Sequence, residues 1–339
     1  MMIAAQEKTQ NQESLPTSLQ DVDFMDVFIS ETGKVFFRGT DKQETLLPAL
    51  SNAVLEQIDR LHRLVCSNER ANDGEFFLDF SNIRFRVSRI DSVDETWYAL
   101  RRSMWPIPRL PQLDGLHSRV IEYLGTIVRP GKSGLILVSG ASSNGKTTTA
   151  YSILQECLMW YGNIAVTLED PVELPMEGQH GNTGYCFQIP VRGGDFAGAI
   201  KKSMRHSPRY IFIGEIRGSD VASQVLRAAI NGHIVISTIH AGNVIEAIYS
   251  ILKFAAATES VELARAVLAD GLLGVINQQL SDIQIKGTRR RHISAEYFFP
   301  GGDPGIKSLI RAGKIEQLTT AIEKQNNRIG MGLLPVEGG

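Results

Sequence analysis

One segment, GLILVSGASSNGKTTTAY at residues 134–151, constrains the fold more than any other part of the chain. An apolar run leads directly into G-x-x-x-x-G-K-T and then into a helical pattern, which describes a strand, a tight loop and a helix of a parallel sheet. Gly140 and Gly145 let the backbone curl so that its N–H groups converge on a phosphate. Lys146 supplies charge to the β and γ oxygens, and Thr147 offers a hydroxyl to Mg²⁺. Ala141, Ser142, Ser143 and Asn144 shape the loop between the glycines, while Thr148 lies in the first helical turn, whose partial positive charge favours an anion. These nine residues form a candidate site for ATP with Mg²⁺. Such a loop holds a nucleotide, and hydrolysis needs further groups.

Other apolar runs follow it: NIAVTLED, RYIFIGE and HIVISTIH, with helical patterns between them. Runs hydrophobic on both faces and alternating with helices indicate an α/β domain with a predominantly parallel sheet covered on both sides. With 339 residues in all, a second domain is expected. The preceding segment supplies it as a smaller α+β unit. DVFISETGKVFFRG reads as a hairpin, PALSNAVLEQIDRLHRLV as a helix, and EFFLDFSNIRFRVSRID and TWYALRRSM as two more strands. The three prolines of SMWPIPRLPQL mark a linker. The expected division is a mobile leader at 1–20, an N-terminal domain at 21–104, a linker at 105–112 and a second domain at 113–339.

Composition narrows the function classes. A formal net charge of -2 lacks the basic excess usual for nucleic-acid binding. Cys66, Cys157 and Cys186 share no C-x-x-C spacing, so neither a disulfide framework nor a four-thiolate zinc site is expected, and a reducing compartment fits. No apolar run approaches the ~18 residues of a membrane span, and the N-terminal residues lack a signal-peptide pattern. A cytoplasmic protein is expected, with any membrane association made through a partner or a surface.

YIFIGEIRG ends a buried strand in a single acid, Glu215, with Gly214 standing where a second carboxylate would be useful. The further acid must come from elsewhere. NIAVTLEDPVELP places Glu169, Asp170 and Glu173 just past another strand end, where ligands of doubly wound sheets bind. His233 and His240 bracket HIVISTIH, and His240, at the carboxyl end, is the better placed to meet phosphate.

The phosphate loop, TLEDPVE, IFIGEIRG and GHIVISTIHAG, in that order, resemble the Walker A motif, Asp box, modified Walker B motif and His box of the secretion ATPase superfamily. Its members are hexameric motors of type II secretion, type IV pili and type IV secretion. The resemblance runs from about residue 22 to the C-terminus. It implies a RecA-like ATPase core preceded by a PAS-like α+β domain, with Glu173 as catalytic base and Glu215 at the Mg²⁺ site. It implies supporting roles for Glu169 and Asp170, membership of the His box for both His233 and His240, and nucleotide-directed guanidinium groups at Arg86 and Arg101, with Arg84, Arg89 and Arg102 nearby in sequence. It further implies a homohexamer acting on an inner-membrane platform protein from the cytoplasmic face.

The chain departs from the family in two places. ASSN replaces a Thr-Gly-Ser type filler, and Gly218 replaces an Asp after Arg217, which puts a salt bridge there in doubt. PGIKSLIRAGKIEQL resembles the C-terminal helical motif of the pilus-retraction, PilT-like branch, a region shared with conjugative type IV secretion relatives. The basic run in IQIKGTRRRHISAEYFF reads as a hairpin tip turning at Lys286-Gly287, solvated or touching acidic lipid or a membrane-platform protein. Pilus retraction, pilus assembly and secretion all remain open, as do a nucleic-acid translocase and a nucleotide-gated scaffold that does not hydrolyse.

Overall fold

The computed structural model describes residues 15–39, 45–46, 50–69, 71, 74–285 and 288–336. The chain divides into two units, Met1–Trp105 and Pro106–Gly339.

The first unit contains strands β1 (Asp26–Ser30), β2 (Val35–Arg38) and β3 (Thr45–Leu46), helix α1 (Asn52–Cys66), and strands β4 (Glu75–Phe80), β5 (Ile83–Asp91) and β6 (Thr96–Arg102). They form one antiparallel sheet in the order β3-β2-β1-β6-β5-β4. Alternate residues Val27, Ile29, Phe85, Val87 and Leu100 are buried with Val54, Ile58, Leu61 and Val65 of α1, the pattern of a sheet covered on one face by an amphipathic helix. EFFLDFSNIRFRVSRID is two strands, where one was expected. Ser81 and Asn82 both have positive φ (49° and 58°) and close a tight hairpin between Phe80 and Ile83, as right-twisted strands require of a two-residue loop.

Order also begins earlier than Val22. Leu19 is fully buried in this core, and Ser51 Oγ donates to the Pro16 carbonyl at 2.6 Å. The last part of the expected leader is thus packed, because it carries one apolar anchor among polar neighbours; residues 1–14 lie outside the described residues.

The second unit runs through α2 (Ser118–Ile127), β7 (Gly134–Ser139), α3 (Lys146–Tyr161), β8 (Asn163–Glu169), β9 (Gly178–His180), β10 (Gly184–Pro190) and α4 (Phe196–Met204). It continues with β11 (Tyr210–Ile213), α5 (Ser219–Ile230), β12 (Ile234–Ile239), α6 (Val244–Ala255), α7 (Val261–Gly271), β13 (Leu272–Ile285), β14 (Thr288–Phe298), α8 (Pro304–Ala312) and α9 (Thr319–Gly330). The sheet order is β14-β13-β7-β12-β11-β8-β10-β9, with the inner strands parallel and one antiparallel strand at each edge. Every residue of β7, β11 and β12 is buried. Leu135, Leu137, Ile211 and Ile213 pack with α4 to α7, while Ile136, Val138, Tyr210 and Phe212 pack with α2 and α3. This two-sided burial is why the runs read as continuously apolar.

Strand β10 is not among the strands expected from the sequence. Its Tyr185, Phe187 and Ile189 are exposed and only Gly184 and Cys186 are buried, so it lacks the continuous apolar signature. The expected linker is also tighter than its prolines suggest. Ile107 and Leu110 are buried in the second unit's core. Ser152 Oγ donates to the Pro108 carbonyl at 2.6 Å, and Arg109 makes a bidentate pair with buried Glu156 at 2.5 and 2.7 Å. Proline has no N–H to donate, yet its carbonyl still accepts from a helix side chain. The expected Lys286-Gly287 turn lies outside the described residues; Ile285 and Thr288 pair on either side of it. No helix among the described residues is long and apolar enough to cross a membrane.

Candidate functional site

The site is built at the carboxyl ends of β7, β8, β11 and β12. After β7 the chain turns at Gly140 (φ 151°) and re-enters helix at Gly145 (φ 73°), which N-caps α3 with no side-chain cap. The first amides of a helix have no internal carbonyl partners, so at this N-terminus they stay available to an anion. Ala141, Ser142 and Ser143 are exposed, whereas Asn144, Gly145, Thr147 and Thr148 are half-buried. Lys146 is buried; its Nζ donates to the Ala141 carbonyl at 2.9 Å and to His240 Nδ1 at 3.4 Å. Burial pulls the ammonium below its ordinary pKa, and the Glu215 and Glu173 carboxylates oppose that pull.

His240 ties the loop to the acid of β11. An ammonium only donates, so Nδ1 accepts from Lys146, and Nε2 carries the proton facing Glu215 Oε1 at 3.0 Å. The other oxygen of Glu215 accepts from Arg217 Nε and Nη2 at 2.8 and 2.7 Å. Gly218 therefore does not leave Arg217 unpaired: it turns back onto Glu215, which raises its pKa further. Thr238 Oγ1 donates to the Gly214 carbonyl at 2.7 Å, and Ile216 N to Thr238 O at 2.9 Å, fixing the chain that presents Glu215. Gly214 has a packing reason. A Cβ there would stand 3.3 Å from Glu169 Cγ, so a second acid at this place would crowd the neighbouring strand end.

The acids after β8 separate into two environments. Glu169 is 1% exposed, accepts a hydrogen bond from Tyr151 OH, and accepts another from Glu173 N at 3.4 Å. Burial pushes its carboxyl up to about 7. Asp170 and Glu173 are exposed. Gln188 of β10 braces this loop: Nε2 donates to Tyr151 OH and Leu174 O at 3.0 and 2.9 Å, while Oε1 accepts from Met176 N and Glu177 N at 2.6 and 2.9 Å. Glu169 thus holds the turn that carries Glu173.

The other expected residues lie elsewhere. His233 stands before β12, at the end remote from His240, and its Nδ1 pairs with the Pro208 carbonyl at 2.6 Å. Six strand residues at ~3.3 Å each separate the two histidines by roughly 20 Å, so His233 is a structural cap and not part of this site. Arg86 and Arg101 belong to the first unit, where register pairing sets Arg38, Asp26, Arg101 and Arg86 in one row on one sheet face. Buried Asp26 binds Arg101 Nε at 2.8 Å and Arg38 Nε at 2.6 Å. Arg101 is therefore engaged by a carboxylate of its own unit.

Sequence reasoning missed Tyr151, Gln188 and Gln278, the last of which bonds the loop from β13. Gln278 had a signal, a polar residue inside the apolar run GVINQQL; Tyr151 and Gln188 had none. Among the described residues no group of three or more His, Cys, Asp and Glu is placed to hold a metal. A cation at Thr147 and Glu215 would take its remaining ligands from phosphate and water, and the uncapped helix with its buried lysine fits that arrangement.

Residues 28–308 match the family model described as Type II/IV secretion system protein. The chain belongs to this family. ComGA, a competence protein of Bacillus subtilis, is 29% identical over 53% of this chain and 49% of its own length. YggR of Escherichia coli, uncharacterized, is 30% identical over 75% of both chains. Type II secretion system protein E of Pectobacterium carotovorum is 31% identical over 50% of this chain and 31% of its own. The chain spans about half or less of the length of ComGA, the HofB homolog and type II secretion system protein E, and three quarters of YggR. Among solved structures, the pilus retraction motor PilT with bound ADP superposes with a TM-score of 0.71 at 28% identity, covering 88% of this chain and 85% of that one. The ATPase DotB of Legionella pneumophila gives 0.66 at 21%, covering 91% and 84%, a likeness of fold. The RecA-like α/β core and the secretion ATPase superfamily expected from the motifs are both borne out.

Proposed function

We propose that this protein is a motor ATPase that binds ATP with Mg²⁺ at the phosphate loop and couples hydrolysis to work on a pilus or secretion apparatus. One observation carries the reading: Lys146, His240 and Glu215 form a connected chain beside an uncapped helix N-terminus, with exposed Glu173 held nearby in sequence to buried Glu169. In this reading Lys146 shifts from the Ala141 carbonyl to the phosphates. Thr147 and Glu215 would hold Mg²⁺, which offsets charge developing on the phosphoryl oxygens. Glu173 accepts the proton of the attacking water, and Glu169 and Asp170 support it. His240 relays position between Lys146 and Glu215. Arg86 and Arg101 supply transition-state charge, Arg101 after release from Asp26.

A homohexamer is part of the proposal, since a heterologous interface that closes makes a ring. So are an inner-membrane platform partner and a cytoplasmic, peripheral location. The likeness to the retraction motor PilT supports pilus retraction, while the likeness to type II secretion system protein E supports export, and pilus assembly stays within the proposal. The absence of a basic excess gives a nucleic-acid translocase no support. A nucleotide-gated scaffold is favoured by one contact: Glu215 is gripped on both oxygens, by Arg217 and His240.

The test is Mg²⁺-dependent phosphate release with parallel ATP binding. Wild type is expected to turn over; Glu173→Gln keeps binding and loses roughly 10²-fold or more in turnover, and Lys146→Ala loses binding. Tight binding with no release by wild type, with membranes or nucleic acid added, selects the scaffold.

A further inference from the structure

Strand β13 carries a buried amide among apolar neighbours: Gln278 is 1% exposed, and Val275 and Ile276 are fully buried. Its Nε2 donates to the Asn144 carbonyl at 2.6 Å, and Asn144 Nδ2 donates back to the Gln278 main-chain carbonyl at 3.2 Å. Leu280 N adds a third bond, to Asn144 Oδ1 at 3.4 Å. A Cβ on Gly140 would stand 2.3 Å from that same Gln278 carbonyl, and one on Gly145 would stand 3.5 Å from Gln278 Nε2. Both loop glycines and Asn144 are thus registered against a single residue of β13.

The Asn144 carbonyl and the Gly145 N–H belong to one planar trans peptide and point in opposite directions. Holding the carbonyl toward β13 therefore sends the N–H away from β13, into the loop. Gln278 Oε1, meanwhile, has no hydrogen-bond partner among the described residues. A buried, unpartnered acceptor opposes folding, and an apolar side chain of equal length would fill the space without that cost. What the amide contributes is the shape of the loop.

We propose that Gln278 is a positioning residue of the phosphate loop: through Asn144 it orients the Gly145 N–H for the nucleotide phosphate. The inference rests on the reading of this loop as a nucleotide site.

The experiment measures ATP affinity by titration of a fluorescent ATP analogue, and thermal midpoint without nucleotide, on the full chain. Gln278→Met is expected to bind ATP about tenfold or more weakly, the loss of one positioned donor to a charged group, at an unchanged or higher midpoint. Gln278→Glu keeps the length, but its ionised carboxylate cannot donate and places a negative charge against the Asn144 carbonyl behind the loop, so it binds more weakly still. Wild-type affinity in Gln278→Met overturns the proposal, and so does a loss of affinity matched by a fall in midpoint or a failure to fold. If wild type and Lys146→Ala bind the analogue equally poorly, the nucleotide reading itself has failed.

Discussion

Glu169 shows what one buried group does to pH dependence. Its ordinary value is 4.5 and burial raises it to about 7. Below the lower value, folded and unfolded chains both hold the proton and the difference has no effect. Between the two, the unfolded chain releases its proton first, so stability falls as pH rises. Above the upper value the full cost is present, on the order of 3 kcal/mol. Glu169→Gln keeps an acceptor for Tyr151 OH and never ionises, so it is expected to raise the thermal midpoint near pH ~8 and to leave it almost unchanged near pH ~4. Equal gains at both pH values would show that the carboxyl is not titrating in this window. The same residue was legible in the sequence as an acid after a strand, but its burial was not: Tyr151, eighteen residues upstream, supplies the covering hydroxyl.

At the scale of elements, α3 joins the site to the segment that opens the second unit. Its first turn holds Lys146 and Thr147, its middle carries Tyr151 against Glu169, and Ser152 and Glu156 fasten Pro108 and Arg109. Glu156 is 1% exposed and Arg109 is 39% exposed. Removing the guanidinium strands a buried carboxylate, whereas its partial hydration reduces what the pair contributes. Arg109→Ala is expected to cost about 2 kcal/mol, below the ~3–5 kcal/mol of a fully buried pair. Urea unfolding compares it with Arg109→Ala/Glu156→Gln, which should recover part of the loss by removing the orphan charge. A linker role was readable from three prolines, but its anchoring was not, since proline spacing says nothing about which helix lies beneath.

At the scale of the whole molecule, the loop, both acidic strand ends and His240 lie within residues 106–339, while Arg86 and Arg101 lie within the first unit. A fragment of residues 106–339 is expected to bind ATP comparably to the full chain and to lose roughly 10²-fold or more in turnover, the effect of removing transition-state charge. Undiminished turnover by the fragment would remove the arginines from the mechanism. For the full chain, light scattering with ATP and Glu173→Gln is expected to show six copies, and a monomer under those conditions would remove the ring from the proposal.

Local order was already encoded in short stretches: a parallel sheet in runs apolar on both faces, a phosphate loop in the spacing of Gly140, Gly145 and Lys146, and the acids in their place after strand ends. Each of these depends on neighbours along the chain, through backbone sterics and hydrophobic periodicity. Which acid is buried, the pairing of His240 with Lys146 and Glu215, and which strand clamps Asn144 depended on tertiary structure. Those outcomes come from contacts between residues far apart in sequence, Glu169 with Tyr151, His240 with Lys146 and Gln278 with Asn144, and only the packing of the sheet order brings them within bonding distance.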